Sequence, residues 1–309
     1  MQKILLTGGT GFVGSALMKH KAFENAIVIS RSSSSKNYKN FVFRTLAPHT
    51  DFTDILKSID IVVHVAAKAH LQEENVKNAN IVYQNLNTDS TLNLARQSIK
   101  AGVKRFIFIS SIKVLGEKTN FGEPFDHNSP LNPIGPYAIS KAEAETKLKN
   151  EIHKTNMELV IIRPPLVYGY NVKGNFLKFL KLVKLQLPLP IKSIKNKRSF
   201  VAIENLVDLI VRCMFDKKAA NQTFLISDNQ DLSTPELFEI LASSGGFKNR
   251  LFPIHELFLK FFFKVIGKLN TYDKISHSLQ VDITYTMKQM AWKPPVSIND
   301  AIKKMQTKI

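Results

Sequence analysis

Two stretches of this chain carry residues whose types and spacing suit chemistry. In Tyr137-Ala138-Ile139-Ser140-Lys141 the tyrosine and the lysine stand four apart, so a helix would present both on one face. An ammonium beside a phenol favours the phenolate, so the spacing predicts a Tyr137 pKa below its free value of about 10 and a side chain able to exchange a proton with a carbonyl or an alcohol. Ser111, at the end of the apolar run Phe106-Ile107-Phe108-Ile109, is placed to hold the same substrate oxygen. A tyrosine four before a lysine is common in helices. It gains meaning from the second stretch, Thr7-Gly8-Gly9-Thr10-Gly11-Phe12-Val13-Gly14.

That stretch follows the short apolar run Ile4-Leu5-Leu6, which reads as a buried first strand, and leads into a helix near Ser15 with Phe12, Ala16 and Leu17 on its apolar face. Glycines 8, 11 and 14 then fit a dinucleotide-binding turn. Gly8 permits the tight bend, Gly11 lets backbone amides approach a pyrophosphate, and Gly14 lets helix and strand pack closely. Ala26-Ile27-Val28-Ile29-Ser30 reads as the second strand, at whose end such a fold inspects the adenosine ribose. Arg31 stands there in place of an acidic residue, which argues for NADP(H) over NAD. The polar run Ser32–Ser35 with Lys36 and Asn37 reads as a loop beside the phosphate.

Phe41-Val42-Phe43 suggests a third strand, and Ile61-Val62-Val63-His64-Val65 a fourth, ending in Ala66-Ala67, small enough for a cofactor to lie against the backbone. Residues 81–100 have apolar positions at helical spacing and stop at Gly102. A turn rich in Pro and Gly (Pro130, Pro133, Gly135, Pro136) delivers Tyr137 to the start of a helix reaching about Lys154. Strands alternating with helices over short connections predict an α/β chain: a Rossmann-like doubly wound parallel sheet with a smaller C-terminal α/β substrate-binding lobe. The division expected is 1–165 for the dinucleotide domain and 166–309 for the lobe, with some lobe segments returning to the sheet. In the lobe, Leu159–Gly169 reads as a buried strand whose Pro164-Pro165 pair turns the chain over the cofactor. A helix capped near Ser233 and Thr234 with Pro235 in its first turn, one helix over 256–269 and a last one over Ile298–Met305 follow.

Composition bounds the reading. The 309 residues suffice for one large core or two joined ones, and the hydrophobic share of 44% is that of an ordinary globular enzyme. The lone Cys213 cannot form an intrachain disulfide, and no secretion signal is read, so a cytoplasmic location is expected. The greasy stretch Leu257–Leu269 is broken by Lys260, Lys264 and Lys268 and is too short to span a bilayer, which leaves a peripheral membrane contact open. The net charge of +18 comes from lysines scattered along the chain, without the aromatic-interleaved patch of a base-stacking surface, so no nucleic-acid partner is expected. No metal site is read.

Taken together, Thr7-Gly8-x-x-Gly11-Phe12-Val13-Gly14, Ser111 and Tyr137-x-x-x-Lys141 resemble the extended short-chain dehydrogenase/reductases, the nucleotide-sugar epimerase/dehydratase group, over essentially the whole chain. The resemblance implies that Ser111, five before Gly116, is catalytic, that Tyr137 is the acid/base, and that Lys141 binds the nicotinamide ribose and tunes the tyrosine. It implies cofactor contacts at Gly8, Gly11, Phe12, Val13, Gly14, Ala66, Ala67, Asn87 and Pro164. It also implies substrate contacts at Ser111, at Asn175, whose amide suits a pyrophosphate or sugar, and at Arg198, whose guanidinium forks onto diphosphate oxygens. Two departures stand out: Thr45-Leu46 where the group often has an acidic adenine contact, and Asn87-Thr88-Asp89-Ser90-Thr91 where its helix motif has a glycine. Members that dehydrate a sugar at C5–C6 have Asp-Glu directly after the catalytic Ser/Thr. Ile112-Lys113 here argues against a 4,6-dehydratase.

The likeness is to bacterial surface-polysaccharide enzymes that act at C4 of UDP-sugars. These include 4-epimerases and 4-keto reductases, and Arg31, by favouring NADPH, tips the reading to a reductase of a UDP-4-keto-6-deoxy-N-acetylhexosamine, forming UDP-N-acetylquinovosamine. The other reading is an NAD-dependent 4-epimerase of UDP-glucose or UDP-N-acetylglucosamine using the same residues, and a remote third is a non-catalytic dinucleotide sensor. A homodimer through paired helices is usual in the group.

Overall fold

The computed structural model describes residues 2–31, 40–68, 78–172 and 174–307. In chain order, β1 (Ile4–Thr7) turns into α1 (Phe12–Leu17), then β2 (Ile27–Ser30), β3 (Phe41–Phe43), α2 (Thr53–Leu56), β4 (Ile61–His64), α3 (Ala79–Tyr83) and α4 (Ser90–Lys100). Next come β5 (Arg105–Ile109), α5 (Pro136–Ile152), β6 (Glu158–Arg163), β7 (Leu166–Tyr168), α6 (Asn175–Lys184), β8 (Phe200–Ala202), α7 (Ile203–Phe215) and β9 (Thr223–Leu225). The chain ends with α8 (Thr234–Ser244), α9 (Glu256–Val265), α10 (Leu269–Ser276), α11 (Thr284–Met290) and α12 (Ile298–Gln306).

Seven strands form one sheet in the order β3-β2-β1-β4-β5-β6-β9, and every pairing is parallel. Such strands must be covered on both faces, which is why β1, β4 and β5 are apolar runs rather than alternating ones. Alternate side chains point to opposite faces. Ile4, Leu6, Val63 and Ile107 pack with Leu206, Leu209 and Ile210 of α7, while Leu5, Val62, Phe106 and Phe108 pack with Leu92 and Leu94 of α4 and Ala144 and Leu148 of α5. Strand order reverses between β1 and β4, and in open parallel sheets the crevice beyond that switch point takes the ligand. Thr7 pairs with His64 there.

A third core gathers Phe176 and Leu180 of α6, Leu237, Phe238 and Leu241 of α8 and Ile302 of α12 around Tyr168 and Phe200. Here the two-stranded sheet β7-β8 stands apart from the seven-stranded one. The run read as a single strand through Gly169 is therefore two: Pro164-Pro165 separates β6 from β7, because a proline nitrogen donates nothing to a ladder. The helical run 79–100 contains a π-helical stretch, Gln84–Asp89. The single helix expected over 256–269 stops at Val265, and Gly267, at φ +67°, turns the chain into α10. The helix at 234 begins as expected, with Ser233 and Glu236 forming a reciprocal capping box. Among the described residues no helix is long and apolar enough to cross a membrane.

Candidate active site

The glycine turn is a tight cradle. Gly8 has φ +78°, and its carbonyl accepts a hydrogen bond from the Gly11 amide at 2.9 Å. A Cβ on Gly8 would meet the Ala66 nitrogen at 2.7 Å, and one on Gly14 would meet the Gly8 oxygen at 2.1 Å. Backbone stands in both directions, so no larger residue fits. Gly8 thus lies against the Ala66-Ala67 segment beyond β4, with Gly11 capping α1 and Phe12 and Val13 half-buried in its first turn. This is the fit a dinucleotide pyrophosphate requires: backbone amides at a helix start with no side chain in the way.

Ser111 follows β5, and Tyr137 lies in the first turn of α5 after Gly135 and Pro136. The Ser111 hydroxyl faces the Tyr137 phenol closely enough to favour its phenolate. The Tyr83 ring meets the Tyr137 ring edge-on, with centroids 6.0 Å apart. One turn on, Lys141 is buried, its Nζ donating to the Ile109 carbonyl at 2.7 Å and lying 4.2 Å from the centre of the Phe108 ring. Serine, phenol and ammonium are therefore gathered at the C-terminal end of β5.

Their protonation differs from the expectation. Burial pushes the Tyr137 phenol up to about 12, against the Ser111 hydroxyl, which favours the phenolate. The reason lies in Lys141, whose ammonium is engaged by Ile109 and the Phe108 ring and is itself held down at about 7 by burial, partly offset by the Glu145 carboxylate. Near neutral pH only part of the Lys141 population is charged, and burial of the phenol prevails.

The surrounding network was not read from the sequence. Thr7 Oγ1 and His64 Nδ1 are 2.8 Å apart, His64 Nε2 lies 2.9 Å from Thr91 Oγ1, and Thr91 donates to the Asn87 carbonyl at 2.6 Å. His64 is fully buried, and burial, aided by Lys141, lowers its pKa to about 3, so it is neutral. Asn87 Nδ2 donates to the Lys68 carbonyl at 3.1 Å and to Ser140 Oγ at 3.1 Å, while its Oδ1 accepts from the Lys68 amide at 2.8 Å. The asparagine thus ties the Ala66–Lys68 segment to α5. Glu145 and Arg163 form a buried ion pair at 2.6 Å. Glu145 had one available signal, its place one turn after Lys141 on the same helix face. Ser110 Oγ is buried and has no hydrogen-bond partner among the described residues. Such an orphaned polar atom beside Ser111, like the glycine cradle, suits a bound polar cofactor.

The other expected residues are placed as follows. Pro164 is buried after β6, and its carbonyl accepts from the Ile112 amide at 2.9 Å, holding the turn that carries Ser111. Arg31 is exposed at the end of β2, and Ser32–Asn37 lie outside the described residues. Asn175 opens α6, but its side chain, like all of Lys173, lies outside the described residues. Arg198 is half-buried in the lobe, and its Nη1 donates to the carbonyls of Lys274 and His277 at 3.2 and 3.0 Å. It is therefore anchored at the C-terminal end of α10.

Known proteins match this chain along most of its length. The family model described as the NAD dependent epimerase/dehydratase family matches residues 4–227. A Vibrio cholerae protein named UDP-glucose 4-epimerase is 42% identical over 307 residues, covering 98% of this chain and 94% of the relative. An Escherichia coli O157:H7 protein named N-acetyl-alpha-D-glucosaminyl-diphospho-ditrans,octacis-undecaprenol 4-epimerase is 28% identical over 242 residues, 76% of this chain and 70% of the relative. In fold, the chain is similar to the crystal structure of UDP-glucuronic acid 4-epimerase from Bacillus cereus in complex with NAD, with a TM-score of 0.76 at 21% identity, covering 99% and 98% of the two chains.

Proposed function

This chain belongs to the NAD dependent epimerase/dehydratase family, and from that footing we propose that it inverts C4 of a hexose carried on a diphosphate, with a UDP-hexose as substrate and NAD as cofactor. The observation that carries the proposal is the gathering of Ser111, Tyr137 and Lys141 at the end of β5, in a chain that matches a named UDP-glucose 4-epimerase along almost its whole length. The 4-keto reductase reading rested on Arg31. That residue is exposed at the end of β2, whereas the relative matched along almost its whole length is named an epimerase.

A nicotinamide dinucleotide, held by the Gly8–Gly14 turn, the Ala66-Ala67 segment and Lys141, supplies the acceptor and donor of hydride for C4. The residues of the chain handle the proton. Tyr137 acts as base from its minor phenolate form, which Ser111 favours against burial: it takes the proton from the C4 hydroxyl as hydride leaves C4 and returns it to the same oxygen when hydride comes back to the opposite face, so the cycle is neutral in protons and electrons. Ser111, beside the phenol, would hold that oxygen in both directions. The Pro164 carbonyl fixes the turn bearing Ser111, and Asn87 fixes the segment facing the glycines. Diphosphate recognition falls to the lobe, with Asn175 and Arg198 its candidates.

The test is to supply the purified chain with UDP-glucose or UDP-N-acetylglucosamine and NAD, without reductant, and to follow the C4 epimer by chromatography. The N-acetylglucosaminyl diphosphate lipid named for the Escherichia coli relative is a parallel substrate. Epimer formation with no net change in NADH absorbance is expected. Stoichiometric oxidation of NADPH by a 4-keto UDP-sugar, with no epimer from any of the three substrates, would replace the proposal with the reductase.

A further inference from the structure

The helix α9 departs from the rest of the surface. Leu257, Phe258, Phe261, Phe262 and Val265 are 70%, 69%, 65%, 56% and 68% exposed, whereas Leu259 alone of the helix is buried, with Phe263 half-buried against Tyr272 at 5.9 Å between ring centroids. At 100° per residue the inward side is that of Leu259 and Phe263, and the five exposed apolar side chains fan across the opposite side. Lys260 and Lys264 line one edge of that fan, and Lys268 follows just beyond the helix, all exposed. Apolar side chains in such number on one side of a helix mark a surface that another phase covers.

Charge identifies the occupant. From Phe247 to Lys268 the chain carries five Lys or Arg residues and one acidic residue, Glu256, whose Oε1 accepts from the Tyr272 hydroxyl at 2.7 Å. From 175 to 195 it carries five lysines and no acidic residue. The two segments are joined, Leu189 donating to the Arg250 carbonyl and Phe252 to the Leu189 carbonyl, each at 3.1 Å. That junction exposes Leu187 and Phe252 beside the entry to α9. A second copy of this face would bring like charges together around its apolar centre. An anionic bilayer offers apolar depth and negative charge at once.

We infer that α9 seats the protein on an anionic phospholipid surface, lying in the interface plane with its apolar side chains at the headgroup–acyl boundary and the surrounding lysines on phosphates. Ten residues of helix extend about 15 Å, half the hydrocarbon thickness, so the contact is peripheral. The lobe that bears Arg198 would then face the membrane: Arg198 binds the end of α10, which packs against α9.

The test is flotation of the full chain with vesicles of 70% phosphatidylcholine and 30% phosphatidylglycerol, and with vesicles of phosphatidylcholine alone. Flotation with the anionic vesicles is expected, weakening as salt is raised. Each lysine near such a surface strengthens partitioning about fivefold, so the triple substitution Lys260→Glu, Lys264→Glu, Lys268→Glu should weaken it by about a hundredfold or more. The triple substitution Phe258→Ser, Phe261→Ser, Val265→Ser should abolish it while circular dichroism shows an unchanged melting curve. Absence of flotation with both vesicle types would overturn the inference, as would equal flotation of all three proteins. So would a wild-type dimer that the serine variant dissolves in sedimentation without any vesicle binding. None of these outcomes depends on turnover, so they leave the catalytic proposal to its own assay.

Discussion

Replacing Lys141 by Met keeps most of the side-chain length and removes its charge, and the structure gives the sign and the rough size of the result. Burial holds this ammonium at about 7 against an ordinary 10.5. At about 1.4 kcal/mol per pH unit, the charged form is disfavoured in the folded chain by roughly 5 kcal/mol. Because the folded pKa lies below the unfolded one, that cost is fully present below about pH 7 and fades as the pH rises to about 10.5. Methionine avoids it but leaves the Ile109 carbonyl, now bonded at 2.7 Å, without its donor, which costs about 1–3 kcal/mol. The variant should therefore be more stable than the wild type by about 2–4 kcal/mol at pH 6 and no more stable, or slightly less, at pH 10. Urea unfolding at the two pH values measures this, and taking the difference between the proteins cancels every other titrating group. The variant should also lose turnover by at least two orders of magnitude. A stability difference that stays flat from pH 6 to pH 10 would refute the claim that the ammonium is desolvated, whatever happens to activity.

The other substitutions separate chemistry from support. Tyr137→Phe should lower kcat by about 10²- to 10⁴-fold with little change in KM or in the melting temperature, since it removes only the hydroxyl proposed to exchange the proton. Steady-state kinetics with calorimetry checks both halves. Glu145→Gln leaves Arg163 charged and buried, and should cost about 3–5 kcal/mol in urea unfolding. The double variant Glu145→Gln, Arg163→Met should recover most of that stability. Both variants should still move the alkaline limb of kcat/KM downward, because the carboxylate that supports the Lys141 cation is gone.

What the sequence disclosed and what it withheld follow from range. The glycine turn, the strand ends and the tyrosine–lysine spacing are local patterns, and backbone geometry over a few residues makes them legible. The helix break at Gly267 and the split at Pro164-Pro165 are local too, but each sits inside an apolar run whose hydrophobicity hides the interruption. The Thr7–His64–Thr91 chain needs the pairing of β1 with β4, and the Asn87 tie needs α5 beside the loop after β4. No spacing in the sequence carries either. The phenol pKa went the other way from its expectation for the same reason. Helical spacing places a cation near Tyr137, but it cannot show that the cation is buried against a carbonyl and an aromatic ring.

That burial also accounts for the company the lysine keeps. A desolvated ammonium persists in a folded chain only where its neighbours favour it or bear no charge of their own. The one basic group on the adjoining strand, His64, is driven to about 3 and stays neutral, so it sets no second cation against Lys141. The ion pair behind the site is oriented so that its carboxylate, one turn along α5, acts on Lys141 with the supporting sign, while its guanidinium comes from β6. The cost that remains falls on β5, buried along its whole length, and on α5, packed against the sheet, which together hold serine, phenol and ammonium in fixed register. A site built this way trades stability for a charge waiting where a reaction needs it, and Lys141→Met measures that trade in both currencies, unfolding and turnover.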